Sequence, residues 1–176
     1  MGLFLIFVIM IYIDIKPEEL ELAKEKAAEM GRILNSIRRG EGNIVGLLGE
    51  IIFARHFGAS LHSKYDYDTV LNSMKIDVKT KETTVVPRDE YLASVAAHNI
   101  KQKCDVYYFV RIRKDLKAGW LLGAKFKEDF FKEATFNKRG EVDPSSNFGW
   151  KFRTDCYNLE IGKLIEDLNL LTNVVL

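Results

Sequence analysis

The segment "NIVGLLGEIIFARHFG", residues 43–58, constrains the fold most because it is apolar on almost every side. Apolar residues at positions 44, 45, 47, 48, 51, 52 and 53 predict a helix, and a helix that is hydrophobic all round is buried. Gly46 and Gly49 each cost about 1 kcal/mol relative to alanine inside a helix. That cost is tolerated where a helix lies very close to another backbone. The segment therefore predicts a buried helix resting against a sheet.

The remaining pattern alternates helices with strands. Strands are predicted for "IYIDI", "YDYDTVL", "MKIDVKT", "CDVYYFVRIR" and "GWLLGA". Helices are predicted for "KPEELELAKEKAAEMGRIL", "DEYLASVAAHNIKQK", "KEDFFKEAT" and "IGKLIEDLNLL", and residues 136–150 are predicted as a loop. This order predicts an α/β fold with a central mixed β-sheet flanked by helices.

Length and composition predict one domain over residues 1–176, since 47% hydrophobic and 29% charged residues are typical of a folded globular chain. The apolar N-terminus is too short to span a membrane and lacks the basic region and cleavage site of a signal peptide. Residues 1–9 either extend the first strand or form an extra N-terminal extension ahead of Met10. Cys104 and Cys156 fit no zinc or disulfide pattern, which favours a cytoplasmic location, in the host cell if the protein is viral.

The stretch "KIDVKTK", residues 75–81, places Asp77 and Lys79 on one face of a strand and Val78 on the other. An acid and a lysine two residues apart can hold a metal ion beside a positive charge for water or phosphate. A solvated strand face explains the same pattern, because an acid-x-lysine triplet is common by chance.

Further candidates lie elsewhere in the chain, namely Asp68, Glu50, and the pair Asn99 and Gln102. A hairpin around Asn72 and Ser73 would bring Asp68 close to Asp77, with Asp66 as its competitor, and two carboxylates on adjacent strands suit Mg²⁺. Glu50 is costly inside an apolar helix unless it is paired or bound to something, so it is expected to point to where the strand acids meet; a buried ion pair with Arg55 or a lysine is the alternative.

The last candidates are Asn99 and Gln102, three residues apart in a predicted helix. As neighbours on that helix, both could contact phosphate or an attacking water. A solvated helix face is the simpler interpretation of this pair taken alone.

Together, Glu50, Asp68, Asp77-Val78-Lys79 and Gln102 resemble the PD-(D/E)XK nuclease superfamily, which has the restriction-endonuclease-like fold. The helix glutamate, the first acid and the acid-x-lysine strand occur in that family's order over about residues 41–113, although Tyr67 stands where a proline often precedes the first acid. "GNIVGLLGE", "YDYD", "KIDVKTK" and "QKCDVYYFVRI" look like segments of small phage and archaeal-virus-type members.

The resemblance implies a hydrolase that cleaves DNA phosphodiester bonds with Mg²⁺ or Mn²⁺. Asp68, Asp77 and the Val78 carbonyl, with Glu50, would hold the metal. Lys79 would orient the water and stabilise the developing charge, and Gln102 would complete the catalytic set.

The implied partner is DNA, with a homodimer left open and no membrane. Phosphate contacts are expected at basic residues flanking the acids, namely Lys81, Lys101, Lys103, Arg111 and Arg113. Two alternatives remain: a catalytically inactive DNA-binding module on the same fold, and a structural protein in which "KIDVKTK" is only a solvated strand.

Overall fold

The computed structural model describes residues 10–30, 41–62 and 64–165. The strands are β1 (Ile11–Asp14), β2 (Ser60–Leu61), β3 (Thr69–Leu71), β4 (Met74–Thr83), β5 (Leu92–Ala96), β6 (Val106–Arg113), β7 (Ala118–Phe126), β8 (Thr135–Asn137) and β9 (Cys156–Glu160). The α-helices are α1 (Pro17–Glu29), α2 (Glu41–Phe57) and α3 (Lys127–Glu133), and short 3₁₀ turns span Ala97–Lys101 and Ile161–Lys163.

The main sheet has six strands in the order β1-β7-β6-β4-β3-β2. Its central pair, β4 and β6, is parallel, whereas the other neighbours are antiparallel. The parallel register sets Asp77 beside Tyr107 and Lys79 beside Phe109. The prediction of an α/β fold with a mixed sheet flanked by helices is confirmed.

Helix α2 packs on one face of β4. Leu48 and Ile52 of the helix share a buried core with Ile76 and Val78 of the strand. A Cβ atom added to Gly49 would lie 1.9 Å from the Thr80 Oγ1 atom, so this glycine permits a close helix–strand approach. The close approach predicted from the two glycines therefore holds at Gly49 but not at Gly46, where an added Cβ meets nothing within 4 Å.

The opposite face of the main sheet is covered by a second, three-stranded sheet in the order β5-β9-β8, together with α3. Val95 and Leu159 from the small sheet and Phe130 from α3 form a buried core with Tyr107 and Phe109 of β6. Both faces of β4, including the one that carries Asp77 and Lys79, are therefore covered by protein.

The hairpin predicted around Asn72 and Ser73 joins β3 to β4, with Thr69 opposite Ile76 and Leu71 opposite Met74. Both turn residues have positive φ, 50° and 64°, which is the backbone of a two-residue type I′ turn. The strand itself begins only at Thr69, so residues 65–68 are irregular.

The predicted helix over residues 89–103 is wrong. Residues Leu92–Ala96 form β5, in which Ala93 and Val95 are buried and pair with β9, and a 3₁₀ turn follows. Leucine and alanine favour helices, but the pairing with a strand more than 60 residues later overrides that local preference.

The sequence also led to predictions of a first strand and a last helix near the two ends of the chain. The first strand is confirmed as β1, while both interpretations of residues 1–9 lie outside the described residues. The predicted last helix is wrong over its first residues, because a 3₁₀ turn is followed by Ile165 bridging to Ala124; residues 166–171 lie outside the described part. Within the described ranges no helix has the length and apolar character needed to cross a bilayer.

Candidate active site

The polar face of β4 is buried. Asp77 is 4% exposed, and its Oδ2 atom lies 2.5 Å from the Lys79 Nζ atom. The lysine side chain is 17% exposed and its ammonium lies 5.5 Å from the centre of the Tyr107 ring. A solvated strand face is thus inconsistent with the structure at these two positions, because burying two charges has a cost that a surface pair does not carry.

Gln102 joins the two charged groups. Its Oε1 atom accepts a hydrogen bond from Lys79 Nζ at 3.0 Å, and its Nε2 atom donates to Asp77 Oδ1 at 3.0 Å. The same Nε2 donates to the Tyr65 carbonyl at 2.9 Å, so both ends of the amide are used. Gln102 lies just after a 3₁₀ turn and not on the predicted helix. Asn99 contributes its main-chain carbonyl, which accepts a hydrogen bond from the Tyr107 hydroxyl at 3.2 Å.

Asp68 precedes β3 and closes the edge of β4. Its Oδ2 atom accepts the Val78 N–H at 2.7 Å, and its own N–H donates to the Ile76 carbonyl at 3.0 Å. In an extended strand the N–H and C=O of one residue point to the same side, so the Val78 carbonyl also faces the Asp68 side. Asp66 lies outside this arrangement, because its Oδ1 atom accepts the Lys103 N–H at 3.0 Å. Of the two candidates, the structure brings Asp68 to Asp77.

Glu50 reaches the same region from α2. Burial, with the negative charges of Glu50 and then Asp77, raises the pKa of Asp68 to about 8, while the Val78 N–H and Lys79 act in the opposite direction. Glu50 and Asp77 therefore both lie near enough to the buried Asp68 carboxyl to affect its protonation. The alternative partner of Glu50, Arg55, contacts Glu19 at 2.9 Å and the Asp14 carbonyl at 3.0 Å.

Three residues that border the site, Lys127, Cys104 and Tyr107, were not predicted as part of it. The Lys127 ammonium, at the start of α3, donates to the main-chain carbonyl of Gln102 and holds that segment in place. Burial raises the pKa of Cys104 to about 11 and also raises that of Tyr107, and the negative charge of Asp77 acts in the same direction on both. Cys104 and Tyr107 are therefore held in their uncharged forms beside the site. No local pattern marks Lys127, which is 25 residues away from Gln102.

The donor atoms of the site suit a hard cation. Asp68, Asp77, Glu50 and the Val78 carbonyl offer oxygen ligands, the type that Mg²⁺ prefers. Among residues 10–30, 41–62 and 64–165, however, no three His, Cys, Asp or Glu side chains already stand as a metal-binding group. The acids are near enough to influence one another's charge, and a metal site at this position stays a prediction.

The basic residues expected to flank the acids differ in exposure and in position. Lys101 and Lys103 are exposed on either side of Gln102, as expected for phosphate contacts. Arg111 is 6% exposed and donates to the Leu92 carbonyl at 2.6 Å. The prediction that Arg111 contacts phosphate at the surface is therefore wrong. Arg113 lies beside Thr83, at the far end of β6 from Asp77, and is paired with Asp115 at 2.9 Å, so it does not flank the acids as predicted.

Comparison with known proteins adds no assignment to this geometry. The chain matches no protein-family model, and a search of curated proteins finds no significant match.

Proposed function

We propose that the chain is a metal-dependent nuclease that hydrolyses DNA phosphodiester bonds, on a core similar to that of the PD-(D/E)XK superfamily. The supporting observation is the buried contact of Asp77 with Lys79, joined by Gln102 and bordered by Asp68. Residues separated by up to 34 positions in the chain, Asp68 to Gln102, meet there, and this grouping of an acid pair, a lysine and an amide supports the proposal.

The acids supply the metal ligands in this proposal. Asp68, Asp77 and the Val78 carbonyl, with Glu50 nearby, would hold Mg²⁺ or Mn²⁺. A divalent ion bound there would lower the pKa of a water molecule and neutralise charge on the phosphate. Burial is the main cause of the raised pKa of Asp68, and the negative charges of Glu50 and Asp77 add to it; a cation bound at this position would offset that negative charge.

Lys79 supplies a fixed positive charge. Its ammonium is held by Asp77 and Gln102 over the Tyr107 ring, in a setting with little water. A preorganised charge in such a setting stabilises the negative charge that develops on a phosphate far better than an exposed one. Gln102 acts as a positioning residue, because it orients both members of the pair.

A catalytically inactive DNA-binding module is the second candidate. It is favoured by the closeness of the Asp77–Lys79 contact, 2.5 Å, since the charge of each group already offsets that of the other. In that case the pair would only hold the β4 strand to the Gln102 segment, and Lys101 and Lys103 would bind phosphate without cleavage.

The purified protein should be incubated with supercoiled, linear, single-stranded and branched DNA, each with EDTA, Mg²⁺ or Mn²⁺. Cleavage that depends on the metal and is lost in Asp77→Asn supports the nuclease, and the preferred substrate gives the class of DNA. DNA binding without cleavage under every condition supports the inactive module. The homodimer and the cytoplasmic location stay predictions; sedimentation analysis with and without DNA tests the first.

A further inference from the structure

A groove lies next to the candidate active site, at the end of β4 that follows Lys79. It lies between the end of that strand, Leu92 of β5 and the loop 143–153, which contributes Phe148 and Trp150. Lys81 forms the junction, because it follows Lys79 by two residues on the same face, about 6.6 Å along the strand. Lys81 and Lys79 also line one small cavity together, so the groove lies next to the candidate site but includes none of its acids.

The loop that forms the outer wall is held in one shape by its own hydrogen bonds. Asp143 Oδ1 accepts from the N–H and hydroxyl of Ser145 at 2.8 and 2.6 Å, and the Asp143 N–H donates to the Trp150 carbonyl at 2.7 Å. Ser146 Oγ accepts the N–H groups of Phe148 and Trp150 at 3.3 and 3.0 Å. Asp143 is buried, so the loop is anchored to the protein at its base.

This anchored loop presents Phe148 to solvent with 98% of its surface exposed. Exposing an aromatic ring to water brings no gain in free energy, and a small change of loop conformation would be enough to bury the ring. A fixed loop that holds a bare ring outward is instead suited to a flat apolar ligand, because every nucleobase has a face that stacks on such a ring.

The cations of the groove add the second half of this chemistry. The Lys81 ammonium lies 5.1 Å from the Trp150 ring centre, and the Arg153 guanidinium lies 5.7 Å from it. Aromatic rings alternating with positive charges form the surface that binds single-stranded nucleic acid, with bases on the rings and phosphates on the charges.

We propose that this groove binds a single-stranded segment of DNA, with an unpaired base stacked on Phe148 and its phosphates on Lys81 and Arg153. The inference rests on the nuclease function proposed above and narrows its substrate to DNA with unpaired bases next to the cleaved bond. Single strands, frayed ends and branch points supply such bases, whereas an intact blunt duplex does not.

Binding of labelled oligothymidylate, measured by fluorescence anisotropy in EDTA, tests the stacking. Phe148→Ala is expected to weaken binding about tenfold with an unchanged melting temperature, because the ring has almost no contact with the protein. The matched control is Tyr12→Ala, which removes a 51% exposed ring on β1, outside the groove. Equal binding by Phe148→Ala and wild type would assign the loop another role, such as protein docking, and overturn the proposal.

Tryptophan emission gives a second readout that does not need cleavage. Of the two tryptophans, Trp120 is 6% exposed and Trp150 is 39% exposed, so a ligand in the groove should quench Trp150. Oligothymidylate is expected to quench emission in wild type but not in Trp150→Phe, and a blunt duplex is expected to leave it unchanged. Stronger quenching by oligouridylate than by oligothymidylate would overturn the assignment to DNA.

The two proposals fail separately. Metal-dependent cleavage without any quenching by single strands overturns the groove and leaves the nuclease. Quenching and Phe148-dependent binding without cleavage support the groove on a chain that has only the binding function.

Discussion

The two faces of β4 are both covered by protein, yet they differ in what they bury. On the α2 side, Ile76 and Val78 fill a dry core. On the side of the second sheet, Asp77 and Lys79 face each other at 2.5 Å with Gln102 across them. Burial of apolar side chains on the first face stabilises the fold directly. Burial of charges on the second face has a free-energy cost, so a contribution to stability alone does not explain it. The difference indicates that one face serves the fold and the other a site.

Asp77→Asn gives the largest expected effect and tests whether the polar face is a site. Cleavage should fall at least about a hundredfold, because the substitution keeps the shape of the side chain but removes its charge for a metal. The matched control is Asp115→Asn, which removes the acid of another pair spaced by two residues, but an exposed one. Initial cleavage rates and melting temperatures should be measured on both proteins. A loss of activity that follows the melting temperature would make the polar face structural.

Lys79→Ala should lower cleavage about tenfold to a hundredfold while leaving Mn²⁺ binding intact, because an ammonium stabilises charge but is not a ligand. Mn²⁺ affinity can be followed by electron paramagnetic resonance alongside the cleavage rate. Arg113→Ala, which breaks the exposed pair with Asp115, should change neither quantity. Loss of Mn²⁺ binding in Lys79→Ala would show that the lysine holds the acids in place and has no direct part in the chemistry.

On the dry face, Gly49→Ala should lower the free energy of unfolding by about 1–3 kcal/mol, because the new methyl group would overlap the Thr80 side chain. Gly46→Ala is the control in the same helix and should raise that free energy by up to about 1 kcal/mol, since an added Cβ meets nothing there. Urea unfolding measures both. Equal effects of the two substitutions would contradict the close approach of α2 to β4.

A further expected effect is a pH dependence at the edge between the two faces. The Asp68 carboxyl has a pKa of about 8 in the folded protein against an ordinary value of 3.8, so the unfolded chain binds fewer protons between these pH values. The free energy of unfolding should therefore fall as pH rises through that window. In EDTA, the melting temperature should drop between about pH 5 and about pH 8, by ~2–4 °C for each kcal/mol lost. A slope that persists in Asp68→Asn would assign the proton to another group.

Local patterns were sufficient to predict the parts of the fold that form from neighbouring residues. Asn72 and Ser73 marked a hairpin, and the apolar run of α2 marked a buried helix with a close approach at Gly49. The second sheet was missed because β5 and β9 pair across more than 60 residues, and their alternation is carried by small residues such as Ala93.

The same reasoning applies to the candidate site. Asp77 and Lys79 share a strand face by period alone, and the hairpin brings Asp68 beside them. Gln102 was singled out together with Asn99, but on a helix that does not exist, and only the tertiary structure turns its amide toward Asp77 and Lys79. Lys127 and the buried position of Arg111 had no signal in the sequence, because each depends on a contact with a distant main-chain carbonyl.

The route of the chain between β4 and β6 sets when the site can exist. That crossover contains β5, whose partner β9 is the last strand described, and Ala97 just after β5 donates to the Asp155 carbonyl at 2.9 Å. During synthesis the β3–β4 hairpin leaves the ribosome long before residue 160, and domains fold as their segments emerge. Gln102 lacks the support of this pairing until then. A nascent chain thus carries Asp77 and Lys79 before Gln102 is held across them, and the candidate site is complete only after translation has passed β9.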